Sequence, residues 1–109
     1  MNVQFKKGVL TLCVLVLTLK KDRYGYELVN KISEQFLIAE GTIYPLLRRL
    51  TKDGYFTTYL LESQEGPPRK YYQLTESGKT YIEVLIKEWE LFSTGVNRLI
   101  EEGTKSDEG

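Results

Sequence analysis

Residues 40–54 read EGTIYPLLRRLTKDG, and this stretch decides the fold class. Its apolar residues fall at the i, i+3, i+4 and i+7 spacing of one helix face: Ile43, Leu46, Leu47 and Leu50. The opposite face carries Pro45, Arg48, Arg49 and Lys52. The spacing predicts a helix over about residues 42–53, with Pro45 in the first turn, where its missing N–H is one that would be unpaired anyway. Gly54 is then expected to end the helix.

Two helices are predicted before this stretch. The second covers about residues 24–36, with Asp22 as its N-cap. Its apolar residues recur every four positions: Leu28, Ile32 and Phe36. The first is an apolar run over residues 9–19, flanked by lysines, whose β-branched residues would also suit a strand. The run is shorter than the roughly 20 residues of a transmembrane helix, and no signal-peptide cleavage site follows it, so a core helix of roughly 15 residues is predicted.

A β-hairpin is predicted after the third helix. Residues 55–62 (YFTTYLLE) and 70–74 (KYYQL) are rich in aromatic and β-branched residues. The linker over residues 63–69 (SQEGPPR) contains a glycine and two prolines, Gly66, Pro67 and Pro68, which are expected to stay outside the paired ladder. The hairpin aromatics are interpreted as core or cross-strand residues rather than base-stacking platforms.

The last helix is predicted over about residues 76–102, with Thr75 as its N-cap and Glu76 at the positive end of the helix dipole. One stripe alternates spacings of three and four: Ile82, Leu85, Trp89, Phe92, Val96 and Leu99. Pairing with the same helix of a second copy would bury this stripe, and so would packing onto its own domain. The predicted organisation is a winged-helix domain over residues 1–75, a dimerisation helix over 76–102 and a disordered tail over 103–109.

The amino-acid composition excludes several kinds of functional site. The chain has 109 residues, one cysteine (Cys13) and no histidine, which excludes an internal disulfide and leaves no zinc ligand set or nucleophile–base arrangement. We therefore expect no cofactor, no metal, no enzymatic activity and a cytoplasmic protein. The net charge is zero but unevenly spread. Residues 1–82 carry 12 Lys/Arg against 8 Asp/Glu, whereas residues 83–109 carry 3 against 7. A polyanion would thus favour the first portion.

The order of elements predicts an α+β fold, mainly α: a winged helix-turn-helix with a long C-terminal helix. The major groove of DNA admits one helix, and the basic face of the third helix suits that position. Thr42 and Tyr44 flank this face, and Arg69 and Lys70 lie at the tip of the predicted wing. Three basic residues on a helix are also common on an ordinary solvated surface.

Three segments resemble the PadR family of bacterial transcriptional regulators: YGYEL (residues 24–28), EGTIYPLLRRLTKDG and GPPRKYYQLTESG (residues 66–78). The resemblance runs from about residue 9 to residue 89, and the short chain with one helix after the wing is similar to the small-PadR subgroup.

The resemblance implies a homodimeric repressor that binds a palindromic operator in double-stranded DNA. The DNA-binding residues that it implies lie on the second helix (Tyr24, Tyr26), the recognition helix (Thr42, Tyr44, Pro45, Arg48, Arg49, with Lys52 from the basic face) and the wing (Arg69, Lys70). Tyr26 and Tyr44 could instead be structural. A winged-helix module that binds protein rather than DNA is the alternative interpretation.

Trp89 raises the prospect of an effector, because some small relatives bind planar hydrophobic compounds between paired tryptophans of the last helix. The residues predicted to line such a site are Leu12, Leu15, Val16, Trp89, Phe92 and Ser93. The acidic last helix would favour a cationic aromatic compound. A tryptophan in such a stripe can equally be ordinary core.

Overall fold

A computed structural model describes residues 3–106 of the chain, apart from the side chains of residues 3–7 and 40. The elements follow in the order α1 (Val3–Leu17), β1 (Arg23–Tyr24), α2 (Gly25–Gln35), α3 (Glu40–Lys52), β2 (Phe56–Ser63), β3 (Gly66–Leu74) and α4 (Glu76–Thr104). The predicted winged-helix fold with a long final helix is confirmed. The short strand β1 between the first two helices was not predicted.

The apolar run near the N-terminus forms a helix of 15 residues, so the alternative interpretation as a strand is wrong. Leu10, Val14 and Leu15 are buried in the core. Cys13 is half-buried, and burial raises the pKa of its thiol, which lowers its reactivity at neutral pH. The strand propensity of the β-branched residues does not decide the structure, because a helix buries one whole face of the run against the other helices.

The start of α2 differs from the prediction. Arg23 and Tyr24 pair with β3, so the helix begins only at Gly25, and Asp22 is too far back to cap it. The Asp22 carboxylate instead accepts a hydrogen bond of 2.6 Å from the Tyr59 hydroxyl. At the other end, Phe36 is the C-cap and is exposed, whereas Val29 is buried. The prediction that Phe36 belongs to the buried face of α2 was therefore wrong.

The three strands form an antiparallel sheet in the order β1-β3-β2. Contrary to the prediction, Gly66, Pro67 and Pro68 all lie within β3, where Gly66 is the register partner of Ser63, and the connecting turn is correspondingly short. The register shifts between Leu61 and Ser63, so the two prolines lie at a bulge in the ladder. A bulge leaves backbone groups unpaired, which is why it tolerates residues without an N–H.

The helix α3 begins at Glu40, two residues earlier than predicted, and ends before Gly54, whose φ of +87° lies in the left-handed region. At the next helix, the Thr75 hydroxyl accepts a hydrogen bond of 3.0 Å from the Gly78 N–H, which confirms the predicted N-cap. The core lies between the helices and one face of the sheet, and its fully buried members include Leu15, Leu28, Ile43, Leu47 and Phe56.

The helix α4 has 29 residues and is thus about 43 Å long. It continues to Thr104, past the predicted end at residue 102, and residues 107–109 of the predicted tail lie outside the described residues. The radius of gyration is 17.3 Å, against about 13 Å for a compact domain of this length. The excess arises because the second half of α4 extends beyond the rest of the fold.

Candidate nucleic-acid interface

A groove of about 600 Å³ lies between the start of α2, the helix α3 and the β2–β3 hairpin, here called the wing. Six of the ten predicted DNA-binding residues line it: Tyr24, Tyr26, Tyr44, Arg48, Arg69 and Lys70. The remaining four, Thr42, Pro45, Arg49 and Lys52, are exposed elsewhere on α3. The fold thus brings together basic and aromatic residues that are up to 46 positions apart in the sequence.

Helical geometry places the basic residues of α3 outward. Ile43, Leu47 and Leu50 are buried, and residues 45, 48 and 52 lie on the opposite face at about 100° per residue. Because α3 begins at Glu40, Pro45 lies in the second turn rather than the first. Its ring therefore removes one helical hydrogen bond that Gly41 would otherwise accept, which is a correction to the predicted position.

The two adjacent arginines of α3 face different neighbours. Arg48 lines the groove, close to the buried Tyr72. Burial is the main cause that raises the pKa of Tyr72, and the neighbouring Tyr44 raises it further. The charge of Arg48 opposes this rise. The Nε of Arg49 lies 3.9 Å from the carboxylate of Asp53, the C-cap residue of α3, and the charge of Arg49 acts on Tyr81 of α4. Arg48 is therefore the arginine that belongs to the groove.

The tyrosines of the groove are fixed to different degrees. Tyr26 is exposed, whereas Tyr44 is half-buried. A Cβ atom at Gly25 would lie 3.2 Å from Cε1 of Tyr44, so this ring packs closely against the start of α2. Tyr24 is the N-cap residue of α2, and the guanidinium of Arg69 lies 4.5 Å from the centre of its ring. Tyr44 and Tyr24 thus have structural contacts within the groove itself.

A second, apolar groove of about 300 Å³ lies between α1 and α4. It brings together three of the predicted effector residues, Leu12, Trp89 and Phe92. The others are elsewhere: Leu15 is buried in the core, Val16 lines a separate groove against α2, and Ser93 donates to the Glu90 carbonyl. The rest of the lining consists of Leu85, which was predicted only for the dimerisation stripe, and of three residues that sequence reasoning missed: Gly8, Val9 and Glu88. Gly8 and Val9 precede Leu12 by four and three residues, and Glu88 follows Leu85 by three. Residues at these spacings are neighbours on a helix surface, so the spacing would have indicated them.

The predicted dimerisation stripe divides in two. Ile82 is buried within its own chain and Leu85 is half-buried against the same core, so Ile82 does not belong to an open seam. Trp89, Phe92, Val96 and Leu99 are exposed. The correction has a physical reason, because the first turns of α4 lie against the core and the later turns extend beyond it.

No helix within residues 3–106 is long and apolar enough to cross a membrane. No group of three or more His, Cys, Asp or Glu residues in that part of the chain has the geometry to hold a metal ion.

The helix-turn-helix, the wing and the basic groove between them define a winged-helix regulator. Residues 14–84 match the model of the transcriptional regulator PadR-like family, and the chain belongs to this family. It is 41% identical over 87 residues to an uncharacterized protein of Lysinibacillus sphaericus, covering 76% of this chain and 80% of that one. The resemblance of the sequence to the PadR family is thereby confirmed.

Solved structures agree with this assignment. A Streptococcus transcriptional regulator is 39% identical, with a TM-score of 0.81 over 90% of this chain and 98% of that one. A PadR-like transcriptional regulator from Bacillus cereus is also 39% identical, with a TM-score of 0.79 over 90% and 97% of the two chains. The protein is a winged-helix transcriptional regulator.

Proposed function

We propose that the protein is a repressor that binds a palindromic operator as a homodimer. In this proposal α3 of each protomer enters the major groove, and the wing contacts the adjacent phosphates. The two recognition helices then lie about 34 Å apart, one turn of the DNA. The observation that carries the proposal is the convergence of Arg48, Arg69 and Lys70 on one groove beside the exposed face of α3.

The charges of this surface support the proposal. Among the described residues, Arg48, Lys52, Arg69 and Lys70 form no salt bridge, whereas Lys21, Arg23, Arg49 and Lys79 do. A cation without an internal carboxylate partner keeps its attraction for phosphate and needs no exchange of partners on binding. Other described cations, such as Lys31, Lys87 and Arg98, also form no salt bridge, but they do not line this groove. What distinguishes Arg48, Arg69 and Lys70 is that three unpaired cations lie together along one groove.

A gel-shift titration against the DNA upstream of the protein's own gene, at two salt concentrations, tests DNA binding. We expect a sequence-specific complex whose affinity falls steeply with salt. Arg48→Ala should weaken it by about 10-fold, because the variant can no longer bind a base edge or a phosphate at this position. Arg98→Ala, which removes an exposed cation from α4, is the control. Weak binding that is indifferent to sequence and to Arg48 would contradict the proposal and favour a protein-binding module.

The exposed stripe on α4 supports the homodimer. Trp89, Phe92 and Leu99 are 42%, 50% and 70% exposed, and they share one helix face. A row of large apolar side chains on a projecting helix is typical of an interface. In a two-fold dimer each copy offers the same row to the other, so the surface is self-complementary.

Charge placed in this stripe tests the dimer. Phe92→Lys combined with Leu99→Lys should give monomers in sedimentation, because four lysines would face one another across the interface. Leu91→Lys is the matched control, since Leu91 is 78% exposed but lies on a different face of α4. A dimer that survives the double substitution would locate the interface elsewhere.

A second candidate function is release of the operator by a planar cationic ligand in the groove between α1 and α4. The observation that favours it is an apolar lining with a single carboxylate, Glu88, next to the exposed ring of Trp89. An aromatic ring and a carboxylate together attract a flat cation. The ligand would regulate only if it bound better to one arrangement of the two protomers than to another.

Trp89 reports on this binding directly, because it is the only tryptophan of the chain. A planar cationic dye should quench its fluorescence saturably, and Glu88→Gln should weaken a cationic dye by several-fold but not a neutral one of the same shape. Dye binding measured by the dye's own absorbance should weaken in Trp89→Ala. Equal affinity of the variant and the wild type would remove Trp89 from the site.

A further inference from the structure

A row of three tyrosines crosses the outer face of the sheet. Tyr24 on β1 and Tyr59 on β2 are both register partners of Tyr71 on the central strand β3, so the three rings lie on the same face. The Tyr59 and Tyr71 rings are stacked, with centroids 5.5 Å apart and an interplanar angle of 8°. The Tyr24 and Tyr71 centroids are 5.6 Å apart, with the rings inclined at 56°. This tyrosine row links all three strands.

Arg69 lies at one end of the tyrosine row. It is two residues from Tyr71 on β3 and therefore on the same face, and its guanidinium carbon lies 4.5 Å from the centre of the Tyr24 ring. A cation at this distance from a ring centroid is attracted by the ring quadrupole. A guanidinium that stacks on a ring by its flat face keeps its N–H donors available, because they lie in the guanidinium plane.

Two other arginines of the chain, Arg23 and Arg49, have carboxylate partners. Arg23 donates to the Glu27 carboxylate at 3.0 Å and to the Leu17 carbonyl at 2.6 Å, so its donors are used within the fold. Arg49 faces the Asp53 carboxylate. Among the described residues Arg69 has no carboxylate partner. A carboxylate would orient an arginine by consuming its charge and donors, but an aromatic ring orients it and leaves both available to an anion.

The other end of the tyrosine row is anchored. The Tyr59 hydroxyl donates a hydrogen bond of 2.6 Å to Asp22, in the segment between α1 and β1. This bond raises the pKa of Tyr59 above its ordinary value, because the Asp22 carboxylate accepts the proton of the neutral phenol. Asp22 also accepts a longer bond, of 3.5 Å, from the Gln73 side chain. The row is therefore fixed to the segment before β1 and ends at Arg69 on the wing.

We infer that Tyr24 is a positioning residue for the wing arginine: its ring holds the guanidinium of Arg69 by its face and directs the N–H edge to a DNA phosphate. This inference rests on the proposed DNA binding, and it assigns Tyr24 a role that acts through Arg69 and not through its own hydroxyl. A free arginine loses most of its rotamer freedom when it binds a phosphate, and the ring removes part of this loss in advance.

The test needs no operator, because binding to phosphate is independent of sequence. Binding of a fluorescein-labelled 30-base-pair duplex of mixed sequence is measured by anisotropy over a series of salt concentrations, for the full chain. Tyr24→Leu should weaken binding by about 3- to 10-fold, the range expected when one or two wings lack a partly exposed cation–π interaction. Arg69→Ala should weaken it at least as much and lower the salt slope by about 0.9 for each phosphate that is no longer neutralised.

The double variant identifies the route by which Tyr24 acts. In the Arg69→Ala background, Tyr24→Leu should change the affinity by less than about 1.5-fold, because the group that it positions is already gone. Tyr24→Phe, which keeps the ring and removes the hydroxyl, should rescue most of the loss caused by Tyr24→Leu. If Tyr24→Phe weakens binding as much as Tyr24→Leu, or if the loss persists without Arg69, Tyr24 contacts DNA itself and the inference is wrong.

A graded series covers the case in which Tyr24→Leu disturbs folding. Phenylalanine with one, two and three ring fluorines at position 24 keeps the shape while weakening the ring quadrupole, so affinity should fall stepwise when Arg69 is present and stay level when it is alanine. A level series in both backgrounds overturns the inference. Absence of any salt-sensitive binding by the wild type would instead contradict the proposed DNA binding, so the two failures are distinguishable.

Discussion

The two halves of α4 carry the same apolar pattern in different surroundings. In the first half Ile82 is 2% exposed, and in the second Ile100, on the same helix face five turns later, is 55% exposed. The first half packs against the junction of α3 and β2, where the Tyr81 and Tyr55 rings stack at 4.4 Å. The second half extends past α1 into solvent. A repeating pattern therefore specifies which face is apolar, but not whether the same chain or another covers it.

The matched pair Ile82→Ala and Ile100→Ala should give the largest difference. Ile82→Ala leaves a cavity in the core and should lower the free energy of unfolding by about 3 kcal/mol, independently of protein concentration. Ile100→Ala should have an effect only where a second copy covers it, so any loss should vanish on dilution. Urea unfolding at two protein concentrations measures both. Equal, concentration-independent losses would contradict the division of α4 into two halves.

Two glycines of α4 offer a second comparison. A Cβ atom at Gly78 would lie 2.5 Å from the Tyr55 carbonyl oxygen, which itself accepts a hydrogen bond of 3.1 Å from the backbone N–H of Thr75. Gly78→Ala should therefore cost about 2 kcal/mol, since backbone must move.

Gly95→Ala is the matched control, because nothing in the described part of the chain lies within 4 Å of its Cβ position. It should leave the stability unchanged or raise it by up to about 1 kcal/mol through helix propensity. Urea unfolding of both variants measures the difference. A stable Gly78→Ala variant would mean that the start of α4 is not closely packed.

The sequence predicted the elements that depend on periodicity and local chemistry. The face of α3 and the Thr75 cap both follow from neighbouring residues, and both are confirmed. Asp22 was misassigned because its partner, Tyr59, is 37 positions away and comes near only after β1 pairs with β3. Pro67 and Pro68 were expected in a loop because a bulge depends on the register of the opposite strand. Ile82 was placed in the seam because an apolar stripe does not specify its partner.

Removal of the α4 cap should have a smaller effect. The Thr75 hydroxyl accepts from the Gly78 N–H and lies 2.7 Å from the Gly54 carbonyl, to which it donates. Thr75→Ala leaves these groups unsatisfied and should lower the free energy of unfolding by about 1 kcal/mol. Thr94→Ala, in the exposed second half, should change it by less than about 0.5 kcal/mol. Similar losses in both variants would show that the cap does not stabilise the first half specifically.

The smallest effect at neutral pH should come from Tyr81→Phe, which retains the stacked ring of the first half. Burial is the main cause that raises the pKa of Tyr81 in the folded protein, and the neighbouring Tyr55 raises it further. Below the ordinary tyrosine pKa of about 10 the phenol is protonated in both states, so its contribution to stability is fully present. As the pH rises through 10, the unfolded chain loses this proton first, and stability falls until the folded pKa is passed. The wild type should therefore lose more stability than Tyr81→Phe between pH 9 and 11. Urea unfolding of both proteins at each pH measures this difference. Parallel curves of stability against pH would mean that solvent reaches Tyr81 in the folded state and that the first half of α4 is as open as the second.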